Sequence, residues 1–238
     1  MLSQRVQGIG FSATLRIGAR AQKMMAEGKP IIDLSVGEPD FPTPHHIKEA
    51  AKRALDREAT KYTENEGILA LREAISQKYR QEWGADYRPE EVIVSTGAKQ
   101  CLYNALMSLV GEGDEVIIPS PYWVSYTHMV KLAKGVPVIV KTRQEEGFRL
   151  TSRDLALHIT PRTKVLLLNN PSNPTGTAYG VEHLRPLIDI CLDEGIFIIS
   201  DEIYEKLIYD GFLFQSIAGL GERVRRQAVI VNGFSKSY

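Results

Sequence analysis

The sequence has only two cysteines in 238 residues, Cys101 and Cys191, with no CxxC pair and no zinc-like spacing. That excludes a disulfide-stapled scaffold and a thiolate metal centre. It also lacks net charge: 29 Lys and Arg balance 29 Asp and Glu, so no overall field favours nucleic acid or an anionic membrane surface. Long apolar runs are missing too. Val165–Leu168 and Ile196–Ile199 are far shorter than the ~20 residues that span a bilayer. There is no repeat, no low-complexity tract and no block of like charge, and the segment after Met1 shows neither the apolar stretch nor the cleavage site of a secretory leader. These absences lead us to expect a cytoplasmic chain with reduced thiols, large enough for one big domain or two small ones.

What is present is an alternation. From about residue 91, short β-branched or aliphatic runs predict strands at Val92–Ser95, Glu115–Ile118, Val136–Val140, Lys164–Leu168, Ile196–Ser200 and Ala228–Val231. Between them, Leu102, Ala105, Leu106 and Leu109 keep helical spacing, as do Leu184, Leu187, Ile188 and Cys191. Parallel strands joined by crossover helices are implied, hence an α/β fold. Thr151 with Asp154 predicts a capped helix start, and Gly135 and Gly195 precede strands as helix-ending glycines do. Upstream, Pro44–Arg57 and Ile68–Gln81 each carry one apolar face and predict two helices packed on the domain. Between Val36 and Pro44, three prolines and a glycine rule out regular structure and predict a fixed loop.

Gly8-Ile-Gly10-Phe-Ser-Ala13 fits a GxGxxA pattern formally, but no strand precedes it, so it reads as part of an N-terminal arm. Asn170-Pro and Asn173-Pro cannot be glycosylation acceptors, because proline fills the middle position. Three features carry chemistry, each placed just after a predicted strand, where open α/β sheets bind ligands. Ser95-Thr-Gly97-Ala98-Lys99 opens a helix whose free N–H groups suit a phosphate, although a plain turn using Gly97 fits equally well. Asn169 to Gly176 packs prolines and asparagines into a rigid, hydrogen-bonding loop. Asp201 ends an apolar strand with Tyr204 three residues on; it reads as a buried carboxylate awaiting a cation, or as a helix N-cap. Lys236 comes after the last strand, where a low-dielectric sheet edge favours a nucleophilic amine, although read alone a lysine near a chain end is far more often a solvated surface group.

Taken in order, Ser120-Pro-Tyr-Trp123, Asn170 to Gly176, Asp201-Glu-Ile-Tyr204 and Ser235-Lys236 resemble the class I/II aminotransferases, in particular the bacterial aspartate aminotransferase branch of the fold-type I pyridoxal phosphate enzymes. The resemblance extends over essentially the whole chain, including Gly37 to Pro44 and Lys61-Tyr62. It implies residues 1–36 as N-terminal arm and part of a small domain, and 37–238 as an incomplete cofactor-binding large domain with a mostly parallel mixed sheet. It implies Lys236 as the Schiff-base lysine that then moves the substrate proton, and Asp201 as partner of the protonated pyridine nitrogen. Asn173 and Tyr204 would bond the ring's phenolic oxygen, and Trp123 would stack on the ring. Gly97, Ala98, Lys99 and Ser235 would join the cofactor site, with Gly37, Trp123 and Asn173 at the substrate. Tyr62 would reach the phosphate of a neighbouring subunit in a homodimer. The implied reaction is ping-pong transfer, through the pyridoxamine form, from an amino acid such as aspartate or glutamate to a 2-oxo acid such as 2-oxoglutarate.

Departures from the family pattern shape the expectation. Family chains continue well past the lysine, whereas this sequence ends at Tyr238, so it is expected to be a C-terminally incomplete fragment with poor turnover. The arginines that clamp phosphate and substrate carboxylate, and an antiparallel strand beside Val92–Ser95, would lie beyond that point. The Gly10-Phe11 pair replaces a Lys-Pro pattern of relatives that accept prephenate, which argues against that substrate. Two alternatives stand beside transamination: carbon–sulfur β-elimination on the same cofactor, and a non-catalytic ligand-binding module. No basic helix-turn-helix segment precedes residue 37 to support the latter.

Overall fold

The computed structural model describes residues 3, 9, 10, 13–35 and 37–238. Gly8, Phe11 and Ser12 of the glycine pattern, and Val36 at the head of the proline loop, lie outside the described residues. Five strands form the sheet: β1 Glu115–Ser120, β2 Val136–Lys141, β3 Thr163–Asn169, β4 Phe197–Asp201 and β5 Ala228–Val231. Their order is β2-β1-β3-β4-β5, and each neighbouring pair is parallel. The helices are α1 Ala13–Ala26, α2 His45–Asp56, α3 Leu69–Trp83, α4 Ala98–Leu109, α5 Ser125–Leu132, α6 Ser152–His158, α7 Val181–Asp193 and α8 Glu222–Gln227.

Successive side chains of a strand point to opposite faces, and both faces of this sheet are covered, which is why its strands read as unbroken apolar runs. Leu166, Leu168 and Ile198 pack with Leu155, Leu184, Leu187, Ile188 and Val224 of α6, α7 and α8. Val165, Leu167 and Ile199 pack on the other side with Leu102, Leu106, Met129 and Val130 of α4 and α5. No helix of the described residues is long and apolar enough to cross a membrane.

Local signals act much as the sequence suggests. Thr151 caps α6 by accepting the Asp154 N–H at 3.1 Å. Gly195 ends α7 at φ +68°, with Ile196 N–H returning to the Cys191 carbonyl at 2.8 Å. Gly135 differs in mechanism. Lys134 takes the left-handed position after α5, at φ +64°, and Gly135 is required because a Cβ there would come 2.5 Å from Val110 Cγ1.

Two expectations are corrected. Val92–Ser95 is not a strand: its one backbone bond to another segment is Val94 N–H to the Glu66 carbonyl, at 2.9 Å, and no described strand pairs with it. Strand propensity forms no strand without a ladder partner. The five described strands are all parallel to their neighbours, as the mostly parallel sheet of the expectation requires. The second correction is α2, which forms as expected but buries no residue; Leu55 is 65% exposed, since nothing among the described residues covers its apolar face.

Candidate active site

The chemistry-bearing motifs gather at the carboxyl edge of the sheet, where parallel strands release their chains into loops. The register sets Asn169 of β3 beside Asp201 of β4, and Asp201 beside Val231 of β5. Asp201 is 3% exposed. Its Oδ2 accepts from Tyr126 Oη at 2.6 Å and its Oδ1 from the Ile203 N–H at 3.2 Å. Burial holds its carboxyl above the usual carboxylate range, with those two hydrogen bonds pulling it back, and no cation among the described residues offsets it. A buried carboxylate without a cation is a receptor for one.

Around it the asparagine loop is fixed by its own side chains. Asn169 Oδ1 accepts the Asn173 N–H at 2.7 Å while its Nδ2 donates to the Asp201 carbonyl at 2.9 Å. Asn170 N–H donates to the same carbonyl at 3.0 Å, and its Oδ1 accepts the Tyr179 N–H at 2.9 Å. So held, Asn173 Nδ2 donates to Tyr204 Oη at 3.2 Å, leaving the phenol's own hydrogen free to donate outward. Burial pushes the Tyr204 phenol up, the Asn173 bond opposes that, and the Asp201 charge adds to it. A small cleft lined by Pro121, Tyr122, Tyr126, Asn169, Asn173 and Tyr179 opens beside these groups.

Trp123 is half-buried and meets Tyr126 edge to face, with centroids 5.4 Å apart and planes at 87°. The Lys99 ammonium lies 4.9 Å from the Trp123 ring centroid, which brings the first turn of α4 to the same place. Gly97 caps α4 at φ +83°, a left-handed value that favours glycine. The Ala98 and Lys99 N–H groups meet no acceptor among the described residues, whereas that of Thr96 is taken by the Gln100 side chain at 2.7 Å. Free donors at a helix N-terminus suit an anion.

Beyond β5 the chain passes Gly233, where a Cβ would come 3.1 Å from Ile203 Cδ1, so this loop presses on the Asp201–Tyr204 turn. Lys236 Nζ then donates to the Gly37 carbonyl at 2.9 Å, joining two residues 199 positions apart. Ser235 is exposed and its side chain makes no hydrogen bond among the described residues. Tyr62 stands fully exposed, away from these contacts. The residue that sequence reasoning missed is Tyr126. Its signal was its place one helical turn after Trp123, but only the fold aims its hydroxyl at Asp201.

Residues 29–238 match the family model for aminotransferase class I and II. The chain belongs to that family. Among relatives of this class I/II aminotransferase chain, the aspartate aminotransferase of Geobacillus stearothermophilus is 50% identical over 237 residues, covering 100% of this chain and 60% of that protein. The crystal structure of the aspartate aminotransferase from Rhizobium meliloti superposes with a TM-score of 0.95 at 46% identity, over 100% of this chain and 60% of that one. The Thermus thermophilus aspartate aminotransferase with maleate gives 0.94 at 44%, over 99% and 61%. The chain thus spans about 60% of the length of the curated relatives it matches. Its parallel sheet flanked by helices is the fold-type I architecture of those structures. The family uses pyridoxal 5′-phosphate. The donor set fits that group: an uncompensated buried carboxylate for a ring cation, a phenol for a ring oxygen, free N–H groups for a phosphate and an amine for an aldehyde.

Proposed function

We propose that this chain carries the cofactor-holding part of a pyridoxal-phosphate-dependent aminotransferase, which moves an amino group from aspartate or glutamate to a 2-oxo acid such as 2-oxoglutarate by a ping-pong route. The observation that carries this reading is Asp201, a carboxylate sealed in the protein with a phenol and an N–H for partners and no cation. Such a group is costly to keep unless a cationic ligand atom meets it. Pyridoxal phosphate supplies an aldehyde for amines and a ring that takes up an electron pair.

The chain's own residues do the rest. Asp201 would hold the ring-nitrogen proton, and Tyr204, steadied by Asn173, would donate to the ring oxygen. Ala98 and Lys99 N–H groups with Gly97 and Ser235 would hold the phosphate, and Trp123 would pack on the ring and exclude water. Lys236 would hold the cofactor through Nζ and would hold or move the proton at the substrate's Cα. Gly37, Trp123 and Asn173 line the substrate. Residues 37–238 form the large domain and 1–36 an arm with part of the small domain. Tyr62, exposed here, reaches the phosphate site of a second copy in a cytoplasmic homodimer. A dicarboxylic substrate is favoured because relatives are named aspartate aminotransferases and the Thermus thermophilus structure holds maleate, itself a dicarboxylate.

Borohydride reduction after incubation with pyridoxal phosphate, then peptide mass spectrometry, tests the reading. An adduct on Lys236 alone is expected, together with a spectral half-reaction on adding aspartate or glutamate to the intact protein. Adducts scattered over surface lysines, or no half-reaction with any amino acid, would refute it.

A further inference from the structure

Behind the site, on the side away from Lys99 and Trp123, lies a carboxyl group that the roles above do not use. Glu202 is 0% exposed. Its Oε1 accepts from Ser200 Oγ at 2.9 Å and from the Ile217 N–H at 3.2 Å. Its Oε2 has no partner. Two more buried side-chain polar atoms have no partner among the described residues, Trp83 Nε1 and Tyr87 Oη.

The charged groups around this junction leave Glu202 without a counter-ion. Glu205, on its own loop, pairs with Lys78 of α3 at 2.9 Å, and Lys78 also reaches Glu82 at 3.1 Å. Arg225 of α8 sits 5.7 Å from the Tyr87 ring centroid and is engaged by Glu222 and Glu91. Tyr79 of α3 is buried too, and the Glu202 charge adds to the burial that pushes its phenol up. Asp201 precedes it in the chain and turns to the opposite side.

We propose that Glu202, as a neutral carboxylic acid, is a positioning residue that fixes the end of β4 bearing Asp201 against the end of β5 leading to Lys236. This rests on the reading of Asp201 and Lys236 as the cofactor-holding pair. The mechanical link is visible. The Glu202 N–H donates to the Val231 carbonyl at 2.8 Å, closing the last rung before the two chains diverge, and the carboxyl ties that rung to Ile217. A carboxylate at this place would leave a charged oxygen buried without a donor, whereas the acid form buries no charge. Consistent with this, burial pushes Glu202 up to about 7, opposed by the serine hydroxyls and the Ile217 N–H and reinforced by the Glu205 charge. The rung is firm below neutrality and strained above it.

The test is Glu202→Gln in the intact protein, since glutamine imitates the neutral acid and cannot ionise. Affinity for pyridoxal phosphate is measured from pH 6 to 8.5 for both proteins, and urea unfolding of the cofactor-free forms over the same range. The ratio of wild-type to E202Q dissociation constants is expected to rise from about 1 at pH 6 to about 10 at pH 8.5, and the wild type should lose more unfolding midpoint over that interval than E202Q, which keeps only the pH dependence of its other groups, Asp201 included. A ratio that stays constant overturns the proposal, as does E202Q binding more weakly than wild type at pH 6. If instead the wild type fails to bind the cofactor at Lys236, the proposed function itself has failed, while the cofactor-free unfolding comparison still judges Glu202. Should E202Q not fold, infrared spectroscopy of Asp201→Asn takes its place. A buried protonated carboxyl band at pH 6 that vanishes by pH 8.5 is expected, and its absence overturns the proposal.

Discussion

Removing one hydroxyl, by Tyr126→Phe, isolates the contact on which Asp201 depends. Tyr126 is 2% exposed and its ring is fixed edge-on to Trp123, so phenylalanine keeps the packing and loses only the oxygen. The change deletes a 2.6 Å hydrogen bond to Asp201 Oδ2, an atom with no other partner among the described residues. A bond of this kind to a charged acceptor contributes roughly 1.5–3 kcal/mol, and about 2 kcal/mol is expected when Asp201 is ionised. Linkage sets the sign with pH. Burial already raises Asp201 in the folded protein above its unfolded value, so this group costs stability as pH rises through that interval. Losing the hydroxyl raises it further and deepens the cost on the alkaline side only. Urea unfolding of the cofactor-free protein, monitored by circular dichroism at pH 5 and pH 8, should show a penalty for Y126F that is larger at pH 8. Equal penalties at the two pH values, or one below about 0.5 kcal/mol at pH 8, would refute the reasoning.

Asp201→Asn removes the buried charge while keeping the shape, so the cofactor-free protein should become more stable at pH 8, with the gain shrinking toward acid. Transamination by the intact protein should fall by at least ~10²-fold, as expected when a preorganised charge at the reacting group is lost; urea unfolding and steady-state rates measure the two effects. Gly135→Ala places a methyl 2.5 Å from Val110 Cγ1 and 3.1 Å from the Asp114 carbonyl, far from the site. It should cost about 1–3 kcal/mol in urea unfolding, and an unchanged midpoint would mean that the turn after α5 yields easily.

Much of the fold was legible along the chain because its signals are local. A strand covered on both faces must be apolar throughout, so β1 to β5 could be read to within a residue or two, and Thr151 marked the start of α6 by its own capping chemistry. The motif residues Asn173, Asp201 and Tyr204 were legible for a similar reason: each lies at or just past the end of a strand, and parallel strands deliver their C-terminal loops to one edge of the sheet. Val92–Ser95 was misread because a strand is a property of two segments, and one sequence window holds only one of them. For the same reason α2 showed an apolar face without showing what, if anything, lies against it.

The sequence by itself determined the type and order of the elements, the reactive groups and the edge to which they are delivered. The tertiary structure alone decided which of those groups meet. Tyr126 reaches Asp201 across 75 positions and Lys236 reaches Gly37 across 199, contacts that no periodicity encodes. It also decided charge state, since a carboxyl's ionisation depends on how much water and which donors surround it, and burial of Asp201 and Glu202 exists only once helices close over both faces of the sheet.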